Sequence, residues 1–208
     1  MANLIIGLGT GRSGTLSLSR ILNYHSEIEM HHENRAFMLE PQNHDFSNSM
    51  RILKNINDYL VRSSKRYFGD VCHNHIYRVP NYVCEFRDNV KFICIYRDPV
   101  STVNSWMRKY NGLSACRFED KDEIEKKFGD KYYRKWSNYF LKYYGTKSSK
   151  DAWYHYVNWY HKQMDSLGSL AFRLDIEDLN SDIKLIQMFK FLDLNPELLD
   201  KRIFNASK

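Results

Sequence analysis

Four cysteines, Cys72, Cys84, Cys94 and Cys116, are scattered through 208 residues with no Cys-x-x-Cys pair among them. That spacing indicates neither a zinc site nor a disulfide framework, and reduced thiols are the expectation. No apolar run reaches the roughly 18 residues that a membrane-spanning helix needs. No G-x-S-x-G elbow marks a serine hydrolase, and no Asp-x-Asp or paired-carboxylate cluster suits a metal, so none is expected. Internal repeats, low-complexity segments and composition breaks are also lacking. A chain of this length then fits one domain with a substantial core, residues 1–208.

What is present begins at Ile5. The segment Ile5-Ile6-Gly7-Leu8-Gly9-Thr10-Gly11-Arg12-Ser13-Gly14-Thr15-Leu16-Ser17 runs from an apolar strand through a glycine-rich turn into a helix. Consecutive backbone N–H groups at such a turn, with the unpaired N–H groups and dipole of the helix's first turn, converge on an anion. Arg12 and the hydroxyls of Ser13, Thr15 and Ser17 add charge-assisted donors. For Ser13 there is a plainer role, capping the first helix.

Three phosphate-binding classes share this loop. Gly9 to Gly14 satisfies G-x-G-x-x-G, and Glu33 falls near the distance at which a dinucleotide site places its ribose-binding acid. That reading needs a second buried strand ending at the acid, and Ser26 to Glu33 is mostly polar, with only Ile28 and Met30 apolar. A P-loop of the ATP or GTP type shares the Gly9–Gly14 spacing, but Thr15 follows Gly14 with no lysine between them. A nucleotide-dependent phosphotransferase and an NAD-binding protein therefore stay as alternatives. The third class depends on residues further along.

Val90 to Tyr96 reads as a buried strand that breaks at Asp98-Pro99 into a helix, with Pro99 suited to the first turn. Arg97 stands at the strand's carboxyl end, and Ser105 lies about two turns into the helix. Both can face one bulky anion, so a second phosphate site is implied; the plain alternative is an Arg97–Asp98 ion pair. Near the end, Leu170-Ala171-Phe172-Arg173-Leu174-Asp175-Ile176-Glu177-Asp178-Leu179 precedes Asp182 to Leu192. The glycine loop, the Arg97–Ser105 pair and this late Glu-Asp-Leu turn resemble, in order, the sulfotransferases that use 3′-phosphoadenosine 5′-phosphosulfate. They span residues 5 to 194, and the family's usual glycine after the late helix is replaced by Asp193.

The resemblance implies an α/β fold of three layers: a mainly parallel central sheet with helices on both faces, P-loop NTPase-like, and a helical insertion after the central strand. It implies that Thr10, Gly11, Arg12, Ser13, Gly14, Thr15, Leu16 and Ser17 cradle the 5′-phosphosulfate and that Arg97 and Ser105 hold the 3′-phosphate. Adenosine 3′,5′-bisphosphate is then the product, and no metal is required. Sulfuryl transfer passes a tetrahedral group in line from a phosphate to a hydroxyl or amine, so positioning and charge stabilisation dominate. Arg12 occupies the loop position at which relatives carry lysine or arginine, suited to charge on the bridging oxygen. Leu22-Asn23-Tyr24-His25 resembles the family's L-x-x-H, and Glu33 with Arg35 reproduces the Glu-x-Arg of tyrosylprotein sulfotransferases. Glu33 is the expected general base, with His32 as the other candidate, and Arg35 is placed with the acceptor. A surface ion pair between Glu33 and Arg35 is the plain alternative. Where relatives carry an acidic-lysine-threonine-proline stretch, this chain has Gly69-Asp70-Val71-Cys72-His73-Asn74-His75. His73 and His75 are the candidate replacements for the lysine. The family's basic glycine-bearing segment is not recognisable, and only Lys201, Arg202 and Lys208 offer cations there.

A formal net charge of +6 suits a polyanionic cofactor. With fifteen tyrosines and four tryptophans it also suits single-stranded nucleic acid, but no RNA- or DNA-binding signature supports that reading and no nucleic-acid partner is expected. The acceptor class, small molecule, sugar, lipid or peptide, is not specified by any spacing. Because the first residues form a phosphate loop instead of a signal sequence, a cytoplasmic protein without a membrane span is the expectation. Periodicity places strands at 3–8, 67–71, 91–96 and 169–174 and helices at 14–24, 48–63, 99–110 and 181–192. Residues 106–165 read as the insertion near the acceptor, with helices at 120–127 and 132–144. A further helix begins near Asp151, and its Trp153, Tyr156, Val157, Tyr160 and Met164 form one apolar stripe better suited to core than to an adenine platform.

Overall fold

The computed structural model describes residues 2–34, 37, 46–109 and 149–196. Five strands, β1 (Asn3–Leu8), β2 (Ile28–His32), β3 (Tyr67–Val71), β4 (Val90–Tyr96) and β5 (Ala171–Asp175), form one sheet in the order β2-β3-β1-β4-β5. Every pairing is parallel, with Leu4 opposite Phe68 and Val90, and Tyr96 opposite Asp175. The helices are α1 (Thr15–Asn23), α2 (Phe46–Arg62), α3 (Val79–Phe86), α4 (Pro99–Lys109), α5 (Ser149–Asp165) and α6 (Asp182–Phe191).

Alternation along the central strands sorts the core into two. Leu4, Ile6 and Leu8 of β1 and Phe92, Cys94 and Tyr96 of β4 face Ile52, Ile56 and Leu60 of α2, Tyr82 and Phe86 of α3, and Tyr156, Tyr160 and Met164 of α5. Ile5 of β1 and Ile93 and Ile95 of β4 face Leu18 and Leu22 of α1 and Leu185, Met188 and Phe189 of α6. Strands apolar on both faces are what a parallel sheet sandwiched between helices requires. The expected three-layer α/β fold is therefore present. The stripe on α5 is core, so this last part of the 106–165 span is built into the sheet's cover; the helices expected at 120–127 and 132–144 lie outside the described residues.

One expectation needs correction. Ser26 to Glu33 looked too polar for a strand, yet Ile28–His32 pairs along β3. It sits at the edge of the sheet, where Ile28 and Met30 are buried and Glu29 and His31 reach partly into solvent. The Asn23 side chain holds it to α1, its Oδ1 accepting Met30 N–H at 2.7 Å. At the C-terminus of α6, Leu194 N–H donates to Phe189 O and Asp193 N–H to Lys190 O. This is a Schellman closure whose left-handed position is Asp193, φ 55°. The position at which the resembled family carries glycine is left-handed in this chain, and aspartate tolerates that better than most side chains.

Candidate functional site

The chain leaves β1 toward β2 on one side and reaches β4 on the other, so the direction of winding changes between β1 and β4. Ligands of open parallel sheets bind outside the strand ends at such a point. The glycine loop follows β1 and Arg97 follows β4, which puts both at this crevice. The same strand order removes the dinucleotide reading. A dinucleotide fold has β2 beside β1, whereas here β3 intervenes, carrying Glu33 roughly 10 Å away at about 4.8 Å per strand.

Within the loop, Ser13 turns inward. Its N–H and its hydroxyl both donate to Thr10 O, at 3.1 and 2.6 Å, and the side chain is fully buried. Ser13 therefore neither caps α1 nor presents its hydroxyl to a ligand; it closes the turn. The residue at the cap position is Gly14, φ 96°, with no side-chain hydrogen bond to the helix. The N–H groups that open α1 are thus left for an anion, since the first turn has no intrahelical acceptor for them. Thr10 is fully buried, Leu16 and Ser17 are exposed, and the Thr15 hydroxyl lies 3.1 Å from His32 Nε2. Gly11 is required by a neighbour: a Cβ there would fall within the Trp106 indole, which is itself stacked on Trp153 at 4.9 Å.

The two expected anion sites are tied together. Arg97 Nη1 donates to the carbonyl of Arg12 at 2.8 Å, and Arg12 Nε donates to Ser105 Oγ at 3.3 Å. Arg97 thus turns to the loop, and Asp98 turns to its own helix, Oδ2 accepting Ser101 N–H at 2.7 Å. That bond, more than the neighbouring guanidinium, holds the Asp98 carboxyl below its usual range. Beside them a cavity of about 270 Å³ is lined by Arg97, Asp98, Ser101, Ile176, Glu177 and Asn180. The Glu-Asp-Leu turn forms one wall as a short 3-10 helix, Ile176–Asn180.

On the other side of the loop, Glu33 leaves β2 with φ 54°, a left-handed conformation that costs a non-glycine residue about 1–2 kcal/mol. Its N–H donates to Val71 O at 3.2 Å, and Oε1 lies 3.7 Å from His73 Nδ1. Glu33 and His73 are therefore brought together, with Glu33 accessible and His73 mostly covered. His75 is not at this surface. It is fully buried, with Nε2 2.8 Å from Asp70 Oδ2 and Nδ1 2.8 Å from the Tyr82 hydroxyl. Arg35, Lys201, Arg202 and Lys208 lie outside the described residues.

Sequence reasoning missed three residues of this site. Tyr160, fully buried, accepts the Gly9 N–H on its hydroxyl at 3.2 Å and so holds the loop's entry. Its position in an apolar stripe gave no sign of that role. Trp106 was visible only as the aromatic after Ser105, and Asp70 only as an acid near two histidines. Cys72 and Cys94 are buried thiols; burial pushes Cys94 up to about 12 and Cys72 well above its usual range, which keeps both protonated and inert.

A parallel sheet of this order, with a glycine loop opening a helix at the switch point and two arginines beside it, defines an α/β protein of the P-loop-like fold class. The sulfotransferase domain family model matches residues 3–208, so the chain belongs to the sulfotransferase family and is an enzyme of that type. Among solved structures, a sulfotransferase from Alicyclobacillus acidocaldarius is similar with a TM-score of 0.59 at 14% identity, over 97% of this chain and 84% of that one. The sulfotransferase domain from the curacin biosynthetic pathway is similar with a TM-score of 0.52 at 18% identity, over 96% of this chain and 77% of that one. At these identities the likeness is one of fold. Among curated proteins, no sequence matches. Among the described residues, no helix is long and apolar enough to cross a membrane.

Proposed function

We propose that this enzyme moves a sulfuryl group from 3′-phosphoadenosine 5′-phosphosulfate to a hydroxyl or amine acceptor. The observation that supports this most is the Arg97–Arg12–Ser105 linkage beside the open N-terminus of α1, because it gathers two guanidinium groups, a hydroxyl and free helix N–H groups in one crevice. A cofactor bearing phosphates at both ends of its ribose matches that arrangement. The loop of residues 10–17 cradles the 5′-phosphosulfate with the N–H groups that Ser13 leaves open by closing on Thr10, Arg97 and Ser105 hold the 3′-phosphate, and the adjoining cavity takes the nucleoside. A 3′-phosphate on Ser105 displaces Arg12 Nε from that hydroxyl, and the guanidinium then turns to the bridging oxygen.

In the transfer, the acceptor lone pair forms the new bond to sulfur as the bond from sulfur to the phosphate oxygen breaks. The leaving phosphate keeps that electron pair, stabilised by the loop N–H groups and Arg12. Glu33 takes the acceptor proton. His73, 3.7 Å away, lies beside the carboxylate, and His32 is fixed to Thr15 at the loop's edge, which favours Glu33 over His32 as base.

Calorimetric titration separates this reading from a nucleotide-dependent phosphotransferase: adenosine 3′,5′-bisphosphate binds tightly, ATP and NAD weakly, and the reverse ranking overturns it. Glu33→Gln slows consumption of radiolabelled donor, whether the label is released to water as sulfate or passed to an added acceptor, by about 100-fold or more, within the range general-base catalysis supplies. Bisphosphate affinity stays within twofold; unchanged turnover removes Glu33 as base. A screen of phenols, sugars, lipids and peptides with the same donor defines the acceptor.

A further inference from the structure

The carboxylate of Asp70 is 1% exposed at the end of β3, and both of its oxygens are engaged. Oδ1 accepts the backbone N–H of Asn34 at 3.1 Å, and Oδ2 lies 2.8 Å from His75 Nε2. The contacts continue inward. His75 Nδ1 is 2.8 Å from the Tyr82 hydroxyl, and the charge of the buried Arg78 guanidinium acts on that phenol. All four side chains are buried, His75 and Tyr82 completely and Arg78 to 3% exposure. Since an ionised carboxylate only accepts, His75 Nε2 is the donor in its bond to Asp70. Burial pushes the Tyr82 phenol up, so its proton stays within the chain of bonds.

Placing a carboxylate in the interior is costly unless it is paired and hydrogen-bonded. This one is paired on its inner side by His75, and on its outer side it does one thing: it fixes the peptide between Glu33 and Asn34. Glu33 is the left-handed residue of that turn. Its own N–H goes to Val71 O, and the next N–H goes to Asp70, so both peptides flanking Glu33 are pinned to consecutive residues at the end of β3. A strained backbone persists where its surroundings over-determine it. These two bonds set the direction in which the Glu33 side chain leaves the main chain.

We propose that Asp70, held by His75 with Tyr82 behind it, is a positioning residue that aims the Glu33 carboxylate. The proposal rests on the reading of Glu33 as the base. A misplacement of about 1 Å can cost on the order of 100-fold in rate.

The test compares Asp70→Ala, Asp70→Asn and Glu33→Gln in the full chain. Asp70→Asn retains an oxygen for the Asn34 N–H and an N–H for His75 with its tautomer reversed; Asp70→Ala retains neither. Release of sulfate from radiolabelled donor falls about 10- to 100-fold in Asp70→Ala, while the affinity for adenosine 3′,5′-bisphosphate stays within twofold, and Asp70→Asn recovers at least a third of the rate. In the Glu33→Gln background, Asp70→Ala causes no further loss, because it acts through the group already removed. Hydrogen exchange at the Asn34 amide gives a readout that needs no turnover: fast in Asp70→Ala, protected in the native chain, Asp70→Asn and Glu33→Gln. Should Asp70→Ala fail to fold, Tyr82→Phe carries the same test with Asp70 in place, with a rate loss of about threefold at unchanged bisphosphate affinity. Equal Asn34 protection in all variants, a loss of bisphosphate affinity parallel to the rate, or a full additional loss on top of Glu33→Gln overturns the proposal. Native turnover in Glu33→Gln overturns the reading of Glu33 instead, and the exchange data then stand apart from it.

Discussion

Two helices begin at the carboxyl edge of neighbouring strands, and their first turns are closed in opposite ways. After β1, α1 starts at a left-handed glycine that has no side-chain oxygen to offer. After β4, α4 starts at Asp98, whose carboxylate takes the Ser101 N–H. A third helix, α6, is closed by Ser181, which accepts from Lys184 N–H. The chain thus satisfies the donors of two helices with its own side chains and leaves those of α1 for something else. The two anion sites proposed above differ accordingly: the first would be made of backbone N–H groups and a helix dipole, the second of guanidinium and hydroxyl groups, since the dipole of α4 already faces a carboxylate.

If that division holds, the largest effect belongs to a side chain at the second site. Arg97→Ala removes a charged hydrogen-bond donor, for which about 1.5–3 kcal/mol is typical, or roughly 10- to 150-fold in affinity. Calorimetry with adenosine 3′,5′-bisphosphate registers that loss, whereas adenosine 5′-phosphate weakens by no more than about threefold. Equal losses for both ligands place Arg97 at the first site and dissolve the distinction. Next in size is Gly14→Ala. A Cβ there meets Ile95 Cδ1 at 3.1 Å and Ile176 at 3.3 Å, and φ of 96° strains any side chain. Stability falls by about 1–2 kcal/mol in a thermal melt, and, because the backbone cradle shifts, both ligands weaken together by roughly tenfold. A loss confined to the bisphosphate contradicts the cradle's placement at the 5′ end.

The same contrast explains how much was readable in advance. The loop, the strand ending at Arg97 and the helix carrying Ser105 were legible because glycine spacing, an apolar run and a Pro99 start are local signals. The alternation of strands with helices along the chain likewise pointed to a parallel sheet covered on both faces. What stayed hidden is what depends on partners distant in sequence. Ser13 carries a capping side chain next to a helix, yet Thr10 O, three residues back, takes its hydroxyl, and Gly14 becomes the cap. Tyr160 meets Gly9 across 151 positions, and nothing in the α5 stripe separates a phenol that props a loop from one that fills a core. Ile28–His32 was discounted for polarity because an edge strand needs only one buried row. His75 read as a candidate replacement for the missing lysine because a buried acid, Asp70, cannot be told from an exposed one without the fold.

The smallest expected change in affinity tests the α4 side of the contrast. With its folded pKa depressed by the Ser101 N–H, Asp98 contributes stability that is complete above the unfolded carboxyl value of about 3.9 and disappears as pH falls through the lower folded value. Asp98→Ala therefore lowers the melting temperature by a few degrees near pH 7, and the difference from the native chain closes at about pH 2, where the native carboxyl is protonated as well. Bisphosphate affinity near pH 7 changes by less than about threefold, since removing one exposed charge acts through screened solvent. The opposite result is as informative. Uncapping α4 frees its first N–H groups, and if the 3′-phosphate reached them, Asp98→Ala would bind the bisphosphate tenfold or more tightly. That gain would mean the second site, like the first, is a helix N-terminus held in check by its own cap.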